Sequence, residues 1–220
     1  ARAAHTGNLV LYSAPLQVGE TLDRILYSKK DSVIMTGATL STEGTFKYIC
    51  ERIGFSPARD LLLGSPFDYP NVAQLCVPID MPEPNSWAYQ GVAEQAITEA
   101  ALALSGRVMV LFTSHASLQT TAVAIRGGLA AQGISVLAQG VDGPPSAIMK
   151  RFKENSNSVL LGTASFWEGV DLAGDQLKVL IVMRLPFSVP SEPVFSARSE
   201  LYEDPFRDYS VPEAILRLRQ

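Results

Sequence analysis

Metal ligands and disulfide-forming residues are scarce in this chain. Its 220 residues include two cysteines, Cys50 and Cys76, and two histidines, His5 and His115. The cysteines form no CxxC pair, and no histidine stands near them at ligand spacing, so the sequence predicts no metal site. Unpaired thiols are typical of a reducing compartment, and we therefore expect a cytoplasmic protein.

Long hydrophobic runs and an excess of one charge are also missing. No apolar run approaches the roughly 18 residues of a membrane helix, and the N-terminal ARAAHTGNLV has no signal-peptide core. We therefore expect no membrane partner. The 18 basic and 22 acidic residues give a net charge of −4, so there is no broad positive field to attract polyanions. Any contact with nucleic acid is expected to be local and made by loops.

The residues that are present predict an α/β fold. Hydrophobic residues make up 47% of the chain and charged residues 18%, which is enough apolar material to fill a core. Short apolar runs alternate with segments of helical periodicity, as in a mainly parallel sheet covered by helices on both faces. Strands are predicted at 7–15, 31–41, 107–115, 134–139, 158–162 and 177–185, with a further one at 73–79 in an irregular connection. Helices are predicted at 18–30, 46–55, 91–104, 117–132 and 144–155.

Two of these helices have definite apolar faces. In the helix over 91–104 the predicted face consists of Val92, Ala96, Ile97, Ala100 and Leu104. In the helix over 117–132, with Ser117 as the predicted N-cap, it consists of Leu118, Ala122, Ile125 and Leu129.

Polar side chains follow the carboxyl ends of several predicted strands, where ligands bind in open parallel sheets. Hydroxyls and backbone N–H groups at such ends can hold phosphates. Thr113 and Ser114 follow one strand, although a hydroxyl such as that of Ser114 often only caps the next helix. The other residues in such positions are Thr36, Gly37 and Thr39 after the run at 33–35, Thr163 after 158–162, and Arg184 after the last strand.

The loop after Thr163 combines aromatic and acidic residues. Phe166 and Trp167 can stack on bases, or they can close the top of the core. Glu168 and Asp171 suit a ribose hydroxyl, a metal-bound water or an arginine, or they are merely solvated. Gly169 between them permits a close backbone approach. Taken together on adjacent strand ends, these residues predict a binding site.

Four segments carry a resemblance. They are GTASFWEGVDLAGDQLKVLIVMRLPF at 162–187, VLFTSHASL at 110–118, VIMTGATLS at 33–41 and VPEAILRLRQ at 211–220. They resemble motif V with its following strand, motif IV, motif III and the run into motif VI of the DinG/XPD-like branch of superfamily two DNA helicases. The motif V segment is the specific one, and the resemblance covers nearly the whole chain.

The resemblance implies a RecA-like (P-loop NTPase-like) fold with two lobes, ATP and Mg²⁺ in the cleft between them, and single-stranded DNA across the top. It implies nucleotide-cleft positions for Glu168, Gly169, Asp171 and Gln220, and a coupling role for Gly37 and Thr39. It implies DNA contacts for Thr113, Ser114, Thr163, Phe166, Trp167 and Arg184.

The resemblance also predicts how the chain is organised. We expect residues 1–44 to be the end of the first lobe, and residues 45–220 to be a second lobe that is incomplete before motif VI. The partner of this second lobe would be the first lobe of the same polypeptide. The apolar segments in residues 1–44 are predicted to pack against this chain's own sheet or against a second copy.

The family's phosphoryl-transfer machinery is not found in this sequence. It has no GxxxxGK[ST] loop, no DEAH-like box and no arginines of motif VI, so we expect no ATPase or helicase activity from these 220 residues alone. An iron–sulfur cluster, if the longer protein has one, would lie outside this chain.

Two other classes remain open at this point. One is a Rossmann-like nucleotide-sugar enzyme that uses Glu168 and Asp171 on a ribose, although GxGxxG is missing. The other is a RecA-like module that binds DNA or protein without catalysis.

Overall fold

The structure, a computed structural model, describes the backbone of residues 2–3 and 9–10, and residues 13–56, 59–167 and 169–219 in full. The chain divides into two compact units, one formed by residues 1–65 with 187–219 and the other by residues 66–186. These bounds differ from the predicted division at residue 44. The assignment of 1–44 and 45–220 to two helicase lobes stays a prediction.

The described helices and strands follow one another along the chain in a mixed order. They are β1 (Arg2–Ala3), β2 (Leu9–Val10), α1 (Gly19–Ile25), α2 (Lys47–Ile53), α3 (Tyr69–Val72), α4 (Tyr89–Ala103), β3 (Val108–Leu111), α5 (His115–Ala130), β4 (Ser135–Ala138), α6 (Pro145–Glu154), β5 (Ser158–Gly162), β6 (Val179–Val182), α7 (Pro193–Ser199) and α8 (Val211–Leu218). Short 3₁₀ turns cover Tyr27–Lys29, Ala164–Phe166 and Gly174–Gln176, and a π-helical turn covers Phe206–Ser210.

The unit formed by residues 66–186 confirms the predicted α/β fold. Its four strands are all parallel, in the order β4-β5-β3-β6, and Val110 of β3 lies opposite Leu161 of β5 and Ile181 of β6. Helices α4 and α5 pack on one face through Ile97 and Leu118, among others. Helix α6 packs on the other face through Ile148 and Phe152. Because both faces are covered, the central strands are continuous apolar runs.

Helix α5 begins two residues earlier than predicted. Its N-cap is Ser114, whose Oγ accepts a hydrogen bond from the Ser117 N–H at 3.4 Å, so Ser117 is not the cap. The predicted apolar face is confirmed, since Leu118, Ala122, Ile125 and Leu129 are all buried.

The apolar face of α4 is rotated from the predicted one. Ala93, Ile97 and Ala101 are buried, whereas Val92 and Leu104 are exposed. The helix is rich in alanine all round, so the periodicity of the sequence separates the two faces poorly.

The unit formed by residues 1–65 and 187–219 has a small aromatic core. Tyr48, Phe195 and Tyr209 are buried together. The Arg52 guanidinium lies 5.1 Å from the centre of the Tyr209 ring and 3.7 Å from the Glu213 carboxylate. Burial raises the pKa of Tyr48, and the nearby Glu213 carboxylate raises it further, so its phenol stays protonated.

Two predicted strands are wrong within the described residues. Residues 32–40 and 73–79 form no strand, and in them Ile34 is 88% exposed and Leu75 is also exposed. The four-stranded sheet takes no strand from the described part of residues 1–44, so the prediction that the run at 31–41 packs against this sheet is wrong. An apolar run becomes a strand only where a neighbouring strand offers hydrogen-bond partners. Packing against a second copy stays a prediction.

Across the residues that the structure describes, there is no helix long and apolar enough to cross a membrane.

Candidate functional site

A pocket of about 260 Å³ opens at the carboxyl ends of β3 and β6. Its walls come from the segment after β3, the first turn of α5, the start of α4 with its preceding turn, and the end of β6. Its polar lining consists of Ser86, Gln90, Thr113, Ser114, Ser117 and Arg184. Three residues predicted to contact DNA, Thr113, Ser114 and Arg184, are therefore brought together from two neighbouring strands.

Arg184 supplies the positive charge of this pocket. Its guanidinium donates to the carbonyl oxygen of Pro84 and lies 5.9 Å from the centre of the Tyr89 ring. The Tyr89 hydroxyl donates to the carbonyl oxygen of Met183. Burial raises the pKa of Tyr89 and the charge of Arg184 opposes this, with a net rise, so the phenol remains a donor. These contacts hold the Arg184 side chain at the mouth of the pocket.

A hydrogen-bonded cluster joins α4 to α5 at the wall of the pocket. The Gln90 amide donates to Thr121 Oγ1 at 2.7 Å and to Glu94 Oε1 at 2.6 Å, and its oxygen accepts from Ser117 Oγ at 2.9 Å. The sequence reasoning missed Gln90. Only its place in the first turn of a helix beside the predicted motif IV could have suggested it.

Thr163 lies in a buried network and not at the surface. Its backbone N–H and its hydroxyl both donate to Gln139 Oε1, at 2.8 and 3.0 Å. The single hydroxyl proton is thereby used, so at 3.2 Å His115 Nε2 must donate to Thr163 Oγ1, which assigns the ring proton to Nε2. Thr163 is 4% exposed. Its predicted contact with a DNA phosphate stays a prediction, and the hydroxyl would have to leave this network to make it.

Gln139 was also missed by the sequence reasoning. It follows β4, its backbone N–H donates to the Leu161 carbonyl at 3.0 Å, and its amide donates to Ser165 Oγ at 3.4 Å. It therefore ties the end of β4 to the loop that follows β5. The available signal was a polar residue at the end of an otherwise apolar run.

Phe166 and Trp167 point into the core. They are 4% and 9% exposed, and the Trp167 indole N–H donates to the Phe112 carbonyl at 3.5 Å. The Phe166 ring packs on Gly162, where an added Cβ would lie 2.4 Å from a ring carbon. This packing matches the alternative in which the two rings close the top of the core. Base stacking by them is untested, and it would require the rings to leave these positions.

A second charged group lies in the loop after β4. The Asp142 carboxylate accepts from the Arg126 guanidinium at 3.2 and 2.7 Å and from the Ala138 N–H at 2.8 Å. Burial raises the pKa of Asp142, but these hydrogen bonds and the charges of Arg126 and Arg151 outweigh it, so the pKa lies below its ordinary value. The pair stabilises the connection between α5 and β4.

Residues 97–220, more than half of the chain, match the model of a protein family described as the helicase C-terminal domain. The chain belongs to this family.

Relatives of known name agree with the family. The chain is 36% identical to the 3'-5' exonuclease DinG of Bacillus subtilis, over 96% of this chain and 24% of that protein. It is 36% identical to the ATP-dependent DNA helicase YoaA of Haemophilus influenzae, over 96% of this chain and 33% of that protein. It is 35% identical to the ATP-dependent DNA helicase DinG of Photobacterium profundum, over 97% and 32%. The chain thus spans about a quarter to a third of the length of these relatives.

The positions that the helicase resemblance assigned to the nucleotide cleft are only partly described. Asp171 and Gly169 are exposed, and Gly169 has a φ of +71°, a conformation that glycine adopts without strain. Glu168 and Gln220 lie outside the described residues. The cleft role of all four residues stays a prediction.

The two predicted coupling residues belong to the other compact unit of this helicase-family chain. Gly37 is exposed and Thr39 is half-buried, within a segment that forms no strand. Their coupling role stays a prediction. In the described part of the chain, no three His, Cys, Asp or Glu side chains are grouped so that they could hold a metal ion.

Proposed function

We propose that this chain contributes the second RecA-like lobe of an ATP-dependent DNA helicase, and that the carboxyl edge of its parallel sheet binds single-stranded DNA. The observation that carries the proposal is the pocket that joins Thr113 and Ser114 after β3 to Arg184 after β6. Membership of the helicase C-terminal domain family favours this function over the nucleotide-sugar enzyme considered above.

The chemistry of the pocket suits a DNA phosphate. Arg184 offers a planar guanidinium with five N–H donors, one of which already donates to Pro84. The hydroxyls of Thr113 and Ser114 lie in the same pocket, and helix α5 begins there with the positive end of its dipole. Contacts of this kind position a strand without reading its sequence. They also give a local cationic site in a chain whose net charge is −4.

The nucleotide part of the proposal rests on the resemblance alone. We assign Gly169 and Asp171, with Glu168 and Gln220, to the side of an ATP cleft whose other side is the first lobe of the same polypeptide. Mg²⁺, which would neutralise charge on the phosphates, is assigned to residues of the longer protein. Relatives that are named ATP-dependent DNA helicases support this part.

The test is ATP hydrolysis by the longer protein with and without single-stranded DNA. We expect Arg184→Ala to lose most of the stimulation by DNA while it keeps the basal rate. We expect Asp171→Ala to lose both, by about 10²- to 10³-fold, which is the usual effect of removing one well-placed charge contact. Wild-type hydrolysis that ignores DNA would overturn the proposal, and wild-type rates in Asp171→Ala would remove that residue from the cleft.

A further inference from the structure

We propose that Trp87 is a stacking platform for a base of the strand whose phosphate contacts Arg184. This inference rests on the proposed function. Trp87 is 94% exposed and stands in the turn that precedes α4, between the pocket-lining residues Ser86 and Tyr89. An aromatic ring beside a phosphate site is the arrangement by which proteins bind single strands of any sequence.

The backbone of this turn is fixed although the ring is open to solvent. The Ser86 N–H donates to the Glu83 carbonyl at 2.8 Å, and the Ala88 N–H donates to Ser86 Oγ at 3.3 Å. On its other side the turn is held by Arg184, which donates to Pro84. The ring is therefore mounted on an ordered backbone, which lowers the entropy lost when a base stacks on it.

The turn also keeps the ring close to the cation. Pro84, which accepts the hydrogen bond from Arg184, and Trp87 are three residues apart, a reach of at most about 11 Å. A strand with one phosphate at Arg184 therefore has a base of the same or the next nucleotide near Trp87.

The other aromatic rings described at this edge of the sheet are already engaged. Tyr89 faces the Arg184 guanidinium and donates to Met183. Phe112, Phe166 and Trp167 are buried. Exposed tryptophans also serve as anchors in protein–protein interfaces. At this edge the neighbouring guanidinium and hydroxyl groups favour a nucleic acid.

The experiment measures binding of the full-length protein to a fluorescein-labelled oligothymidylate by anisotropy, over a range of salt concentrations. Trp87→Ala is expected to raise the dissociation constant about 5- to 150-fold, the range that corresponds to loss of one stacked base. Trp87→Phe is expected to recover most of this loss. The salt dependence should be unchanged in Trp87→Ala, whereas Arg184→Ala should lower its slope by about 0.7 because one phosphate contact is lost.

An abasic oligonucleotide of the same length is the matched control. Trp87→Ala should bind it as well as the wild type does, whereas Arg184→Ala should bind both strands more weakly. Equal affinity of Trp87→Ala and wild type for oligothymidylate would overturn the inference and leave the proposed function standing. No binding of oligothymidylate by the wild type at low salt would overturn both.

Discussion

Replacement of Gln139 by methionine tests the buried network at the end of β4. The Gln139 side-chain oxygen accepts from the Thr163 N–H at 2.8 Å and from the Thr163 hydroxyl at 3.0 Å. In Gln139→Met the hydroxyl can rotate to another acceptor, but the backbone N–H is buried and fixed. A buried donor without a partner costs about 1–3 kcal/mol. We therefore expect the free energy of unfolding to fall by this amount.

The assay is equilibrium unfolding in urea, followed by tryptophan fluorescence. Trp167 is buried in the same unit and reports its unfolding. With a slope of about 2 kcal/mol per molar urea, the loss moves the midpoint down by about 0.5–1.5 M.

Ser165→Ala provides a matched control at the other end of the same side chain. It removes only the 3.4 Å bond from the Gln139 amide to an exposed hydroxyl, so its effect should stay within about 0.5 kcal/mol. A Gln139→Met midpoint equal to that of the wild type would refute the assigned role of the oxygen. So would an equal loss in Ser165→Ala.

Two further predictions concern stability. Asp142 has a pKa below its ordinary value of 3.8, so the stability it adds through Arg126 is present above about pH 3.8 and is lost as the pH falls through the lower folded pKa. Asp142→Asn should therefore unfold at lower urea than the wild type at pH 7 but not at pH 2, and a difference that is independent of pH would contradict this assignment. Gly162→Ala should destabilise by about 1–3 kcal/mol because its Cβ meets the Phe166 ring, and Phe166→Leu in the same chain should recover part of the loss. An unchanged unfolding midpoint in Gly162→Ala would show that the ring moves aside freely.

The sheet could be predicted from sequence because its strands are uninterrupted apolar runs at regular spacing. The runs at 33–35 and 73–79 look the same locally, yet Ile34 and Leu75 are exposed. Which run finds a neighbouring strand depends on residues far away in the sequence. The local pattern contains no such information.

The site was predicted in part for the same reason. Thr113, Ser114 and Arg184 follow apolar strands directly, so their place at one edge of the sheet follows from parallel order. The pairing of Gln139 with Thr163 depends on β4 and β5 being neighbours, which only the sheet order reveals. Whether Trp167 faces solvent or folds back into the core was equally beyond a local reading.

Photo-cross-linking of the longer protein to a single strand that carries 4-thiothymidine, followed by mass mapping of the peptides, tests the central claim most directly. We predict cross-links to residues 82–90 and 112–117, around the pocket, and their loss or strong reduction in Arg184→Ala. Cross-links that map only outside residues 66–186, or that persist unchanged in Arg184→Ala, would contradict the assignment of this sheet edge to single-stranded DNA.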